Sequence, residues 1–403
     1  MKETRFKQTE IGLIPEDWGV SKLGEKCLIY RGGSPRPIEN YITNNADGIN
    51  WIKIGDVESD SKYIIKTKEK IKQEGVIRSR AVYAGDLILS NSMSFGRPYI
   101  LKINGCIHDG WLVIQEYIKN IDLDYLYYLL GSAYVFRQYT QMAAGSSVQN
   151  LNKEKVANVI VAIPTKKEQN KIATVLISID NLLLSLDKLI EKKRLIKQGA
   201  MQELLTGKKR LPGFAGEWVE RRLGEGLRFK PGFPFNSNFF DERMGIRLIR
   251  NRDLKADDQI TYFYGNINKD FIIENGDLLI GMDGDFMPCL WNKGKALLNQ
   301  RVGKIELISN NWCLMYLFYA LQEPLKAKQE KTGATTVKHL SHSDIEQMRL
   351  KMPSTSIEQK VIGKILSSMD KEIESLESKK AKYEQIKQGM MQQLLTGKIR
   401  LIS

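Results

Sequence analysis

Ile196 to Gly207 reads IKQGAMQELLTG, and Ile386 to Gly397 reads IKQGMMQQLLTG, the same segment 190 positions later. A period this long is too large for a solenoid repeat and implies a duplicated unit, a globular part plus a helix, with an internal pseudo-two-fold axis. Upstream of each copy, apolar residues recur at alternating spacings of three and four, the signature of an amphipathic helix. In the first copy they are Ile172, Val175, Ile179, Leu182, Leu186, Leu189 and Ile196, with Lys193 filling one seam position. In the second they are Ile362, Leu366, Met369, Ile373, Leu376, Tyr383 and Ile386, with one position skipped. Each pattern starts just past a proline, Pro164 or Pro353, and is expected to run to Thr206 or Thr396. Gly207 and Gly397 then supply the left-handed residue that ends a helix. About 40 residues at 1.5 Å each make a rod of roughly 60 Å. A rod with one apolar seam needs a partner in water, and a two-fold axis across the rods would pair the two copies antiparallel.

Ahead of each rod the order of parts is also repeated. Ile14-Pro15-Glu16-Asp17-Trp18 leads to Leu23-Gly24-Glu25, matched by Phe214-Ala215-Gly216-Glu217-Trp218 leading to Leu223-Gly224-Glu225. Trp18 and Trp218 are expected to anchor each globular part to the preceding helix end. Strand-like runs follow at Asn50 to Ile54 and Ile246 to Arg250, and Gly85-Asp86 and Gly276-Asp277 turn into Leu87-Ile88-Leu89 and Leu278-Leu279-Ile280. Each globular part closes with a polar loop, Gly145 to Leu151 or Gly333 to Leu340. The expected fold class is mixed α/β: two globular domains, 1–164 and 208–353, separated by two long antiparallel helices, 165–207 and 354–403, that form a coiled coil.

Composition narrows the function. The chain has 403 residues, 42% hydrophobic and 27% charged, enough for two or three cores. It has no run of about 18 apolar residues and no apolar stretch at its start, so no membrane partner is expected and a cytoplasmic location is. Cys27, Cys106, Cys289 and Cys313 form no CxxC pair and read as reduced, structural thiols. Lys plus Arg number 61 against 47 for Asp plus Glu, a net charge of +14, and a protein this basic usually meets a polyanion.

Catalytic signatures are missing from the sequence. There is no glycine-rich cofactor loop after a strand with an Asn/Asp-Pro-Pro-aromatic motif for a flipped base, and no GxxxxGK[ST] phosphate loop. Glu-x-Lys occurs as Glu191-Lys192-Lys193 and Glu377-Ser378-Lys379, inside the rods, where it reads as solvated surface. His339 and His342 stand three apart but lack companion ligands, and Gly281-Met282-Asp283-Gly284-Asp285 fails the remaining spacing of a calcium loop. Neither a catalytic nor a metal site is expected.

The ordered, duplicated layout resembles the specificity subunit of type I restriction and modification systems. The resemblance covers nearly the whole chain. It rests on the Gln-Gly-x-Met-Gln-x-Leu-Leu-Thr-Gly run, on Pro164 with Glu168-Gln169 and Pro353 with Glu358-Gln359, and on the Gly-Ala-Thr-Thr-Val-Lys-His-Leu loop. It implies that the globular parts are target-recognition domains, each reading half of a bipartite double-stranded DNA sequence. It also implies that the helices space the domains and dock two methyltransferase subunits, with restriction and translocation subunits joining that core. No cofactor is implied for this chain; S-adenosylmethionine, ATP and Mg2+ belong to the partner subunits. Different loops should read different half-sites, so an asymmetric target is expected, with the complex nucleoid-associated when bound to DNA. The competing readings are a stand-alone DNA-cleaving enzyme with a diverged motif and a coiled-coil adaptor that never touches DNA.

Base edges are best read by Arg, Lys, Asn and Gln, and phosphates by Ser, Thr and backbone amides. On that basis the candidates in the first domain are Arg31, Ser34, Arg36, Ser94, Arg97, Gln149 and Asn150. Those in the second are Lys230, Arg250, Asn251, Arg252, Asp283, Gln300, Arg301, Lys338 and His339. The main seam candidates are Ile172, Ile179, Leu186 and Ile196 in the first rod, and Ile362, Met369, Leu376, Tyr383 and Ile386 in the second.

Overall fold

The computed structural model describes residues 5–57, 61–91, 95–116, 121–143, 150–331 and 339–402. It divides into two compact units, Met1–Leu186 with Lys379–Ser403, and Asp187–Ser378. The long helices are Lys166–Leu204 and Ser356–Leu394, 39 residues each, hereafter the first and second rods. Each unit therefore holds one globular body, the first part of its own rod and the last part of the other.

In the first unit a five-stranded sheet has the order Leu28–Arg31, Trp111–Gln115, Leu87–Ser90, Pro98–Leu101, Tyr63–Ile64. The strand after the Gly85-Asp86 turn opens with three apolar residues in a row, Leu87 to Leu89, because both of its faces are covered. Successive side chains point to opposite faces of a strand. Leu87 and Leu89 accordingly join the cluster that contains Tyr125, Leu126 and Leu129 of the helix Leu123–Leu130, whereas Ile88 joins Ile52, Ile107 and Trp111. Ile52 and Ile107 belong to a second sheet, ordered Ile42–Thr43, Glu69–Ile71, Ile49–Ile52, Gly105–Ile107, Arg80–Val82. The second unit repeats the scheme. Leu278 and Ile280 pack with Tyr316, Leu317 and Leu321, while Leu279 packs with Ile249, Trp291 and Leu298.

A short antiparallel pair closes each body at the foot of its rod. Gly19–Lys22 pairs with Ile160–Ile163, and Trp218–Arg222 pairs with Arg349–Pro353. The Glu-Gln doublet after each proline has a local task there. Gln169 accepts from the Asp122 N–H at 2.8 Å and donates to the Pro164 carbonyl at 2.9 Å; Gln359 accepts from Cys313 N–H at 2.9 Å and donates to Pro353 at 3.0 Å. Both satisfy backbone groups that burial would otherwise strand.

The glutamates form clasps. Glu168, 1% exposed, accepts from Trp18 Nε1 at 3.1 Å and from Arg400 Nε at 2.7 Å. Glu358 does the same with Trp218 Nε1 at 3.4 Å and Arg210 Nε at 2.9 Å. Trp218 is thus held by the segment following the first rod, as expected for a preceding helix end. Trp18 is held by the tail after the second rod, Gly397 to Leu401. Gly207 and Gly397 have φ of 71° and 70°. A Cβ at Gly397 would sit 2.4 Å from Pro15 Cδ, so only glycine both turns left-handed and lets the tail close down. The rods end at Leu204 and Leu394, two residues before the expected Thr206 and Thr396.

Along the rods the least exposed stripe runs 172, 176, 179, 183, 186, 190, 193, 197 in the first and 362, 366, 369, 373, 376, 380, 383, 387 in the second. This is one heptad register, with every position repeated 190 residues on. It differs from the expected stripe at alternate positions of the first rod. Leu182, Leu189 and Ile196 are 37%, 38% and 46% exposed, and Ile386 is 38% exposed; Leu183, Ile190, Lys197 and Lys387 take those places. Apolar doublets at 182–183 and 189–190 leave the phase open, and two seam positions in each rod are lysines, Lys193 and Lys197 in the first and Lys380 and Lys387 in the second, which an apolar pattern skips. Ile172, Ile179, Leu186 and Ile362 are buried, and Met369, Leu376 and Tyr383 are half-buried. Within each unit the two rod segments run antiparallel, seen in Asp180 with Lys387 at 2.6 Å in the first and Lys193 with Glu372 at 2.6 Å in the second.

Candidate nucleic-acid interface

In the first body three loops meet beside Asp109. The chain leaving Leu28–Arg31 passes Gly32, where any Cβ would lie 2.0 Å from the His108 carbonyl, so it hugs the 108–110 turn. That brings Ser34 Oγ to 2.8 Å from Asp109 Oδ1, Arg36 to 3.5 Å from Oδ2, and Arg31 Nε to 3.3 Å from the Asp109 carbonyl. Asn91, at the end of the central strand, donates to the same carbonyl at 2.8 Å and accepts from Leu151 N–H at 3.0 Å, which draws in the end of the polar loop. Partial burial works to raise the Asp109 pKa, but the Ser34 hydroxyl, its own backbone amide, His108 and Arg31 together hold it below the usual carboxylate range. The carboxylate stays charged and orients the arginines around it.

His108 beside it is half-buried, and that desolvation holds its pKa below the ordinary value despite the opposing pull of Asp109. Its ring nitrogens face the backbone N–H groups of Ile54 at 3.1 Å and Gly110 at 2.6 Å, which further opposes protonation. A cleft of about 920 Å³ opens next to it, lined by Ser34, Arg36, Trp51, Lys53, Glu69 and His108 among others.

The second body builds an equivalent hub from a different residue. Asp283, just past the strand Leu278–Gly281, forms an ion pair with Arg301 Nε at 3.2 Å through one oxygen and bonds His339 Nδ1 at 2.8 Å through the other. Its carbonyl accepts from the Asn251 side chain. The backbone is tied in the same way: Met282 N–H to the Arg301 carbonyl at 2.9 Å and Leu340 N–H to the Met282 carbonyl at 2.8 Å. Arg301 and His339 side chains remain 55% and 48% exposed, so their outer edges face solvent.

Four candidates of the second domain, Asn251, Asp283, Arg301 and His339, are brought together. The others are not. Lys230 points to the Asp270 carbonyl at 2.8 Å, and Arg250 folds back on Asp253 at 3.2 Å and on the Gln259 carbonyl at 3.0 Å. Arg252 is half-exposed near Asp253, and Gln300 is exposed on the turn before Arg301. In the first domain Arg31, Ser34 and Arg36 converge, Arg97 lies over the Tyr99 ring at 5.5 Å, and Asn150 is exposed beside Leu151. Ser94, Gln149 and Lys338 lie outside the described residues. Asp109, Asn91 and His108 are not among the candidates; Asp109 is an acid, which a search for cationic and amide readers passes over. Lys255 and Asp285, an ion pair near the second hub, are not among them either. Among the described residues no three His, Cys, Asp or Glu side chains gather as a metal-holding group, and no helix is long and apolar enough to cross a membrane.

The family model for the type I restriction modification DNA specificity domain matches the chain twice, over residues 15–197 and 215–388. The chain belongs to this family. It is a DNA-specificity subunit of a type I restriction-modification system and is not itself an enzyme. The MjaX type I restriction enzyme specificity subunit of Methanocaldococcus jannaschii is 30% identical over 441 residues, covering 99% of this chain and 98% of the relative. The EcoBI specificity subunit of Escherichia coli is 36% identical over 172 residues, 42% of this chain and 35% of that one. In fold, the specificity subunit resembles the crystallised type I S subunit of M. genitalium, with a TM-score of 0.58 at 16% identity over 94% of this chain and 96% of the other. Both family matches take in a globular body and most of a rod, so the repeated unit of the sequence is also the repeated unit of the family.

Proposed function

We propose that the globular bodies, 1–164 and 208–353, are target-recognition domains that each read one half of an asymmetric bipartite DNA target. The helices within 165–207 and 354–403 then serve as spacer and as docking surface for two methyltransferase subunits, through which restriction subunits join. Partner subunits bring S-adenosylmethionine, ATP and Mg2+, and the assembly works in the cytoplasm, on the nucleoid when DNA-bound. One observation carries this reading: corresponding loops gather around a carboxylate in each body, Asp109 in the turn before Trp111–Gln115 with Ser34, Arg31 and Arg36 in one, and Asp283 in the loop after Leu278–Gly281 with Arg301, His339 and Asn251 in the other. Two hubs of unequal chemistry suit two different half-sites. By contrast, the rod ends IKQGAMQELLTG and IKQGMMQQLLTG are nearly identical and suit two copies of one partner.

Methylome sequencing of the host with and without this chain tests the reading, together with a chimera in which residues 211–345 come from another member of the family. The expected result is a bipartite motif that disappears with the chain and changes in one half only in the chimera. A change in both halves would refute the modular assignment.

A further inference from the structure

The clasps at Glu168 and Glu358 hold each body at the first turn of its rod, and a single attachment leaves a pivot. Each unit has a second attachment further along. In the first, Tyr128 of the helix Leu123–Leu130 donates to Asp180 Oδ2 at 2.5 Å, and Lys387 of the opposite rod reaches Asp180 Oδ1 at 2.6 Å. In the second, Tyr319 of the helix Leu314–Ala320 donates to Asp370 Oδ2 at 2.6 Å, and Lys197 reaches Asp370 Oδ1 at 2.5 Å. Asp180 and Asp370 are 190 positions apart, as are Lys197 and Lys387. Body, own rod and opposite rod thus meet on one carboxylate in each half.

Several features separate this constellation from ordinary surface pairing. Tyr128 and Tyr319 are 1% and 2% exposed, and burial followed by the neighbouring aspartate pushes both phenols above their ordinary range, so both remain hydrogen-bond donors. Lys197 and Lys387 occupy seam positions, where a polar residue costs stability and fixes register. Tyr128 is also held from behind, since Lys62 lies 4.8 Å over its ring and pairs with Asp124 at 2.6 Å. In the second unit, Lys197, Tyr319 and Asp370 line one cleft with Asn251 of the second hub and with the neighbouring Lys255 and Asp285. Asp180 stands twelve residues beyond Glu168, roughly 18 Å along a helix rising 1.5 Å per residue. Two anchors that far apart define a direction where one defines only a point.

We propose that the Tyr128–Asp180–Lys387 and Tyr319–Asp370–Lys197 constellations are positioning pins that fix the pitch of each recognition body on its rods and thereby set how strictly the subunit selects the spacing between its half-sites. The proposal rests on the bipartite reading above. Tyr128→Phe, Tyr319→Phe and the double variant remove only the hydroxyls. Each is assembled as the full chain with its methyltransferase subunits and assayed on DNA whose half-sites are kept while the spacer is shortened or lengthened by single base pairs. In the double variant, methylation at neighbouring spacer lengths is expected to rise about tenfold relative to the preferred length, about threefold for each of the two hydrogen bonds removed, with half-site sequence unchanged. Each single variant is expected to shift it by less.

An unchanged spacer profile, or an equal fall in activity at every spacer, would overturn the pin while leaving the bipartite reading intact. A wild-type complex with no fixed-spacer target would overturn both.

Discussion

Arg400→Met is the sharpest test of how the chain closes on itself. The Arg400 side chain is 7% exposed and Glu168 is 1% exposed, and two guanidinium nitrogens reach the carboxylate at 2.7 and 2.9 Å. Breaking a buried pair by removing one partner costs about 3–5 kcal/mol, because a charge is left without compensation. Glu168 would keep the Trp18 Nε1 bond at 3.1 Å and the Leu401 N–H at 3.4 Å, which places the expected loss near the lower end, about 3 kcal/mol. The second contact of Arg400, with the 56% exposed Asp17, adds little. Methionine keeps the aliphatic stem but gives up the guanidinium, whose carbon lies 5.7 Å from the Trp18 ring centroid, so a small cation–π contact goes with the ion pair. Arg210→Met in the equivalent clasp is a control inside the same molecule. Arg210 is 30% exposed, water can reach Glu358 once it is gone, and the loss should be about half as large. Urea unfolding followed by tryptophan fluorescence measures both, with a Glu168→Gln/Arg400→Met double variant that leaves no stranded charge. The double variant should recover most of the stability. The reasoning fails if Arg400→Met loses less than about 1 kcal/mol, or if the double variant is no more stable than the single one.

The rod register separates neighbours: Ile190→Asp places a charge in the seam and should cost several kcal/mol of thermal stability, whereas Leu189→Asp should stay within about 0.5 kcal/mol; equal melting losses would restore the other phase. Asp283→Asn weakens the hold on Arg301 and His339 and should relax selectivity at one half-site by about 1–3 kcal/mol while the other half-site keeps its ranking, read by competition binding of the assembled complex against single-base variants. His108 supplies a pH test. Its folded pKa lies below the ordinary 6.5, so the unfolded chain takes up the proton first; stability is complete above pH 6.5 and falls as the pH drops below it. His108→Gln should flatten that slope in urea titrations between pH 7 and pH 5, and an unaltered slope would assign it to another group.

The architecture was legible in the sequence wherever one physical rule acted alone. The duplicated rod ends, the glycines after them and the apolar strands behind the Gly-Asp turns each follow from a single demand, whether a seam to bury, a left-handed cap or a strand covered on both faces. Legibility failed where two demands met at one position. At 197 and 387 the seam asks for an apolar residue, but the chain places a lysine there to meet Asp370 and Asp180, and apolar periodicity slides to Ile196 and Ile386. At Asp109 the gathered cations need a carboxylate behind them, and residue-type reasoning selects Arg31, Ser34 and Arg36 without the acid that gathers them. The second domain hid less because Asp283 follows its strand directly, next to glycine. The clasps show the same limit at longer range. Glu168 is legible as part of a motif, but its partner Arg400 lies 232 residues away and only one residue short of Leu401, in a tail that local pattern treats as the fraying end of a helix. A duplicated chain in which each body is closed by the segment after the other body's rod must have its last residues do for the first body what residues 207–210 do for the second.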